Sequence, residues 1–217
     1  MQIFTYQPPS IPWIDVRYVD RDIIIINKPS GLLSNPGIAK NTHDCALSRI
    51  QQRFTDAILV HRLDCATSGI MVFARNKKAE SNLKTQFQDR KTKKTYIAEV
   101  SGHLKDAQGV IELSLAANKT SPPMQQVSDV GKVAITHYQT LELRANSTLL
   151  MLNPVTGRTH QLRVHMLAIG HAILGDDFYG DKQVIDAAPR LRLHAQELSF
   201  DHPYTGKNMQ FKSHCSF

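Results

Sequence analysis

The run His61-Arg62-Leu63-Asp64, followed by Thr67-Ser68-Gly69, puts an imidazole, a guanidinium, a carboxylate and two hydroxyls into one short connection. Apolar Ile58-Leu59-Val60 leads into it, and Ile70 to Ala74 leads out. A polar group set held between two apolar elements is where binding and catalysis are often built. A carboxylate in such a place can act as a nucleophile or a base. The same residues also suit an ordinary turn with a structural Asp and a hydrogen-bonded His.

Two further stretches carry dense polar chemistry. Gly157-Arg158-Thr159-His160-Gln161-Leu162-Arg163-Val164-His165 opens a helical pattern in which Leu162, Met166 and Ile169 share a face. Thr159 reads as its N-cap, over a helix from about 159 to 169. A helix N-terminus flanked by arginines suits a phosphate or a carboxylate, and it equally suits a solvated basic face. His160 and His165 are five apart, a poor spacing for a helical metal pair, so no metal site is expected. The third stretch, residues 75–94, holds eight basic residues, including Lys91, Lys93 and Lys94, against Glu80 and Asp89. Such clustering can mark contact with a phosphate backbone, or simply a solvated helix face. Tyr96 follows directly, as a base-stacking ring or a buried strand tyrosine.

The elements that must position these residues are a mixture. Ile23 to Asn27 reads as a buried strand, because four β-branched residues run together. Lys28-Pro29-Ser30-Gly31 ends it as a turn. A helix is predicted over about 43–54, capped by Asn41 or Thr42, and another over about 77–90, capped by Asn76 with a Glu80–Lys84 pair on its surface. Strands are predicted over 69–75, 95–100, 110–115, 133–143 and 148–152, then around Leu193 and Met209. Gly170 sits where a helix C′ glycine belongs. Residues 116–131 read as a loose loop, and the three prolines within residues 1–15 make that segment an extended arm. The class expected is α+β, with a mixed or mainly antiparallel sheet in one domain over 16–217.

Composition narrows the chemistry. The 217 residues carry 26 Lys and Arg against 19 Asp and Glu, a net +7, which favours a polyanionic partner without naming it. Cys45, Cys65 and Cys215 are too few and too scattered for a disulfide framework or a Cys-rich zinc site, which fits a reducing compartment. No leader-like apolar run or membrane-length stretch occurs, so a soluble cytoplasmic protein is expected. Phosphate loops, dinucleotide-binding glycine patterns, zinc-protease motifs and esterase elbows are all missing.

Taken together, the stretches resemble the RluA family of RNA pseudouridine synthases. His61-Arg62-Leu63-Asp64 with Thr67-Ser68-Gly69 matches that family's catalytic motif. Asn27-Lys28-Pro29-Ser30-Gly31-Leu32 resembles its upstream turn, and Lys94-Thr95-Tyr96-Ile97-Ala98 its tyrosine motif. Gly157 to His165, then Gly170-His171 and Gly175-Asp176, resembles its arginine motif, with Ala172 where the family usually has Pro.

The resemblance implies the pseudouridine synthase fold: a bent, mixed but mainly antiparallel sheet in two subdomains, with flanking helices and a cleft holding Asp64. It implies isomerisation of uridine to pseudouridine in RNA, in 23S ribosomal RNA, tRNA or both. It implies no cofactor, no metal, no S4 RNA-binding domain, and a monomer. Asp64 is then the catalytic carboxylate, with Arg163 keeping it ionised and Tyr96 stacking on the uracil or assisting proton transfer. Arg62 would displace the target base, and Leu162 would pack beside it. His61, Thr67, Arg158, Lys91, Lys93 and Lys94 would contact RNA or line the site. Two other readings remain at this point. One is a non-catalytic RNA-binding or ribosome-assembly factor. The other is a nucleoside or glycoside hydrolase, which normally needs a second carboxylate that these motifs do not supply.

Overall fold

The computed structural model describes residues 6–217. From its start the chain forms β1 (Asp15–Val19), β2 (Ile23–Lys28), α1 (Ala46–Gln51), β3 (Ile58–Leu59), β4 (Ser68–Ala74) and α2 (Lys77–Gln88). It continues through β5 (Lys93–Ser101), β6 (Gln108–Ala117), β7 (Gln125–Val127), β8 (Lys132–Leu143) and β9 (Ser147–Pro154). It ends with α3 (Gln161–Ala168), α4 (Lys182–Asp186), β10 (Leu193–Asp201) and β11 (Asn208–Lys212). The fold is α+β with mostly antiparallel pairing. Two compact units divide the chain. One runs through Thr92 and includes Glu197–His214; the other comprises Lys93–Gln196 and Cys215–Phe217.

In the first unit β2 pairs with both β1 and β4, which removes any solvated edge from it. Ile23, Ile24, Ile25 and Ile26 are all fully buried, so the strand reads as an unbroken apolar run rather than an alternation. The β2–β4 register sets Ile23 opposite Ala74 and Lys28 opposite Gly69, the last residue of the catalytic-type motif. Helix α2 starts where the sequence places it, with the Asn76 side chain accepting the Ala79 N–H at 2.9 Å. Its Ala79 and Leu83 enter the core with Ile23, Ile25, Ile70, Val72, Leu198 and Phe200. Gln86, also buried, exchanges two hydrogen bonds with the Asp201 backbone, of 2.7 and 2.8 Å, and so fixes α2 to the end of β10.

The second unit is built on an antiparallel sheet whose neighbouring strands are not all consecutive in the chain. Antiparallel pairings join β5 to β9, β9 to β8, β8 to β6 and β6 to β7. Helix α3 packs on this sheet through Val164, against Leu115, Ala134 and Tyr179. Gly170 terminates α3 as expected. At φ +84 it lets its own N–H reach Leu167 O at 2.9 Å, and the His171 N–H reach Met166 O at 2.9 Å.

Several local expectations need correction. α3 begins at Gln161, not 159, and its N-cap is His160 in a left-handed conformation rather than Thr159. No His160 side-chain bond caps the helix; Gln161 Oε1 instead accepts the Arg158 N–H at 3.0 Å. Helix α1 is shorter than 43–54 and is capped by Cys45, whose thiol accepts the Ser48 N–H, while 40–42 forms a single 3-10 turn. The loose 116–131 segment contains β7, paired through Gln125–Val127 to β6. The expected arm over 1–15 lies partly outside the described residues. Residues 6–14 have no regular element, and Asp15 already belongs to β1.

Candidate active site

In the first unit, Asp64 is half-buried on an irregular loop between β3 and β4, and that loop is held by its own backbone. Four consecutive carbonyls are engaged. Leu63 O accepts the Ser34 hydroxyl at 2.7 Å, and Asp64 O accepts the Thr67 N–H at 3.1 Å. Cys65 O accepts both the Gly31 N–H, at 2.9 Å, and Lys28 Nζ, at 3.0 Å. Ala66 O accepts the Ser30 hydroxyl at 2.6 Å. The turn after β2 is therefore the cradle of the Asp64 loop. Gly31, at φ +83, adopts a backbone conformation that a side chain would strain.

Lys28 is the centre of that cradle. It is fully buried, and its Nζ donates to Pro29 O, Leu32 O and Cys65 O at 2.9, 2.6 and 3.0 Å. Three acceptors match the three N–H groups of an ammonium. Burial pushes its pKa down to about 7, against the opposing pull of negative charge at Cys65 and Asp64. An amino group that carries its charge only below about pH 7 is thus fixed next to the Asp64 loop from within the same unit.

The neighbours of Asp64 divide by role. His61 Nε2 accepts the Val72 N–H at 3.1 Å, and its ring stacks on Phe87 with centroids 4.5 Å apart. That acceptor role leaves the ring proton on Nδ1. Thr67 is buried and closes the turn, whereas Arg62 is exposed.

In the second unit, Arg163 is 2% exposed on α3. Its Nε donates to Asp176 Oδ2 at 2.8 Å, and its Nη2 to Asp176 Oδ1 at 2.6 Å. Nη2 also reaches Asp177 Oδ1 at 3.2 Å. The fork that the family resemblance directs to Asp64 is, along its Nε–Nη2 edge, bound to Asp176. Leu162 is buried beside it, and Tyr96 is half-buried on β5 opposite Leu152. Arg158 is exposed, with its Nε on Val133 O at 3.2 Å.

A buried polar chain holds the start of α3. The Thr156 hydroxyl donates to Gln161 Oε1 at 2.7 Å, and Gln161 Nε2 donates to Ile135 O and Thr136 Oγ1, both at 3.0 Å. His165 Nδ1 completes it at 3.0 Å from Thr136 Oγ1. Burial pushes the His165 pKa from 6.5 down to about 4. The unfolded chain takes up this proton near pH 6.5, whereas the folded one refuses it until about pH 4. Stability from this group is therefore lost as pH falls between those values. Urea midpoints of the native chain are expected to drop across that window, and His165→Asn, which cannot titrate, to flatten the slope.

The basic stretch is less charged in space than in sequence. Lys77 and Lys84 both pair with Glu80, at 2.9 and 2.7 Å, and Arg75 pairs with Asp56 at 3.0 Å. Lys91 lies 3.5 Å from Asp89, and Lys94 Nζ donates to Thr156 O at 3.3 Å. Arg90 and Lys93 are exposed.

This geometry can be set beside known proteins. Residues 22–168 match the family model described as RNA pseudouridylate synthase. The chain is 47% identical, over the whole of both chains, to the dual-specificity RNA pseudouridine synthase RluA of Escherichia coli K12. The chain belongs to the RNA pseudouridylate synthases. Members of this family are isomerases that act on RNA. The RluA of Haemophilus influenzae is likewise 47% identical over the full length of both chains. Among solved structures, human RNA pseudouridylate synthase domain containing 1 covers 95% of this chain, at 28% identity and TM-score 0.80. The match extends over 85% of that human chain. No helix among the described residues is long and apolar enough to cross a membrane.

Two buried charged residues, one in each unit, went unassigned in the sequence. Lys28 and Asp176 both stand inside quoted motifs, yet neither type announces burial, since Lys and Asp are mostly exposed unless paired.

Proposed function

We propose that the protein converts uridine to pseudouridine in 23S ribosomal RNA and in tRNA, with Asp64 as its catalytic carboxylate. The observation that carries this reading is the full-length 47% identity to dual-specificity synthases, over a chain that keeps the His61-to-Gly69 motif. In the reaction N1–C1′ breaks, the uracil turns, C5 bonds to C1′, the C5 hydrogen leaves as a proton, and N1 takes up a proton from solvent. Nothing is gained or lost overall, so the chemistry calls for no redox or group-carrying cofactor.

Asp64 acts at the sugar, by attack on C1′ or by removing a ribose proton, and either role needs an ionised carboxylate. The Lys28 amine holds that loop through Cys65 O. Arg163 orients and stabilises the reacting carboxylate, and Tyr96 stacks on the uracil or assists transfer of the C5 proton. Exposed Arg62 enters the space left when the uridine swings out, because the glycosidic bond is inaccessible within stacked RNA. Leu162 packs beside the base, while His61 and Thr67 shape the loop. Arg158, Lys91, Lys93 and Lys94 meet phosphates, and the enzyme works as a monomer.

Pseudouridine mapping in 23S ribosomal RNA and tRNA from cells with and without the protein tests the targets. Sites present only with the protein in both RNAs are expected. An unchanged map in both would overturn the reading, and loss from only one would restrict it to that RNA.

A further inference from the structure

The turn from Gly175 to Gly180 forms a rigid holder around Arg163. Asp176 is fully buried and accepts four hydrogen bonds. Two come from Arg163, at 2.8 and 2.6 Å, and two from the Phe178 and Tyr179 N–H groups, both at 3.1 Å. The Phe178 and Tyr179 ring centroids lie 4.9 and 5.2 Å from the guanidinium carbon. The turn has little room to relax. A Cβ at Gly175, where φ is +72, would collide with Arg190 O, and one at Gly180 would stand 2.7 Å from Asp176 O.

The holder reaches further through one hydroxyl. Tyr179 OH accepts the Gln125 N–H at 2.8 Å and lies 2.8 Å from His160 Nδ1, at the entry to α3. Gln125 begins β7, at the end of the irregular stretch that starts at Asn118. One phenol thus joins that stretch, the start of α3 and the face of the Arg163 guanidinium.

Stability alone is a weak reason for such an arrangement. A buried ion pair roughly breaks even against apolar packing of the same volume. What four bonds and two rings do supply is a fixed position and rotation for the guanidinium, and catalysis is sensitive to both. We propose that Asp176 and Tyr179 are positioning residues that hold Arg163 in its working orientation, with the Tyr179 hydroxyl making residues 118–125 part of that hold. This rests on the catalytic role given to Arg163 above.

The test is a double-mutant cycle in the full-length protein, followed at steady state by tritium release from tRNA labelled at uridine C5. Tyr179→Phe keeps the ring and removes the hydroxyl bonds. It is expected to lower kcat about tenfold with KM for tRNA unchanged. Asp176→Asn keeps the volume and removes the charge, with an expected loss of about a hundredfold. In an Arg163→Lys background, neither change should lower the rate further. Losses that multiply in that background, or that appear in KM, overturn the proposal while leaving the role of Arg163 standing. Wild-type kcat in Arg163→Lys alone overturns the role of Arg163 and this proposal with it. Should Asp176→Asn fail to fold, the Tyr179→Phe cycle decides the matter by itself.

Discussion

Lys28→Met is expected to unfold well below the native chain. The substitution keeps the length and apolar stem of the side chain but removes one donor from each of Pro29 O, Leu32 O and Cys65 O. Cys65 O retains the Gly31 N–H at 2.9 Å, so the heavier losses fall on the other two carbonyls. Each buried acceptor left without a donor costs about 1–3 kcal/mol. Relief from burying a charge offsets part of this. A net loss of about 3 kcal/mol follows, which for a chain of this size lowers Tm by about 6–12 °C. Thermal unfolding followed by circular dichroism checks it. A Tm within about 2 °C of the native value would mean that Lys28 does not hold the cradle, on the same scaling.

Lys28 also shows where sequence reading stops. At the end of an isoleucine run a lysine reads as the point where a strand meets water. The β2–β4 register instead carries it to Gly69, against the Asp64 loop. Asp176 is the same case: its pairing with Arg163, thirteen residues away, is set by the path of the intervening turn. Left-handed His160 gives no sequence signal either, since such backbone is announced mainly by glycine. Cys45 as an N-cap is hidden because a thiol is a weak acceptor, outside the usual capping residues. By contrast, the Asn76 cap, the Gly170 terminus and the buried β2 strand were readable, because each depends on residues within a few positions of one another. The charge excess was readable only as a count. In space, Glu80 takes up two lysines and Asp56 takes up Arg75, so Arg90 and Lys93 are better candidates for phosphate contact than the raw run of eight.

The largest expected effect on activity belongs to Asp64→Asn. Its loop is held through the carbonyls of residues 63–66, by Ser34, Thr67, Lys28, Gly31 and Ser30, and not by the carboxylate alone. Asn has nearly the same shape, so the scaffold should persist, with RNA binding kept and Tm close to native. The charge is gone, however, and neither attack on C1′ nor removal of a ribose proton survives that loss. A fall in rate of at least about a thousandfold is expected, the scale on which nucleophile or base deletions act. Tritium release from RNA labelled at uridine C5 reads this directly, because the C5 hydrogen leaves only when C5 takes up C1′. The native chain should release tritium to solvent with equivalent formation of pseudouridine, and Asp64→Asn should release none above background. Full release by Asp64→Asn, or none by the native chain on either ribosomal or transfer RNA, would contradict the assignment of this site.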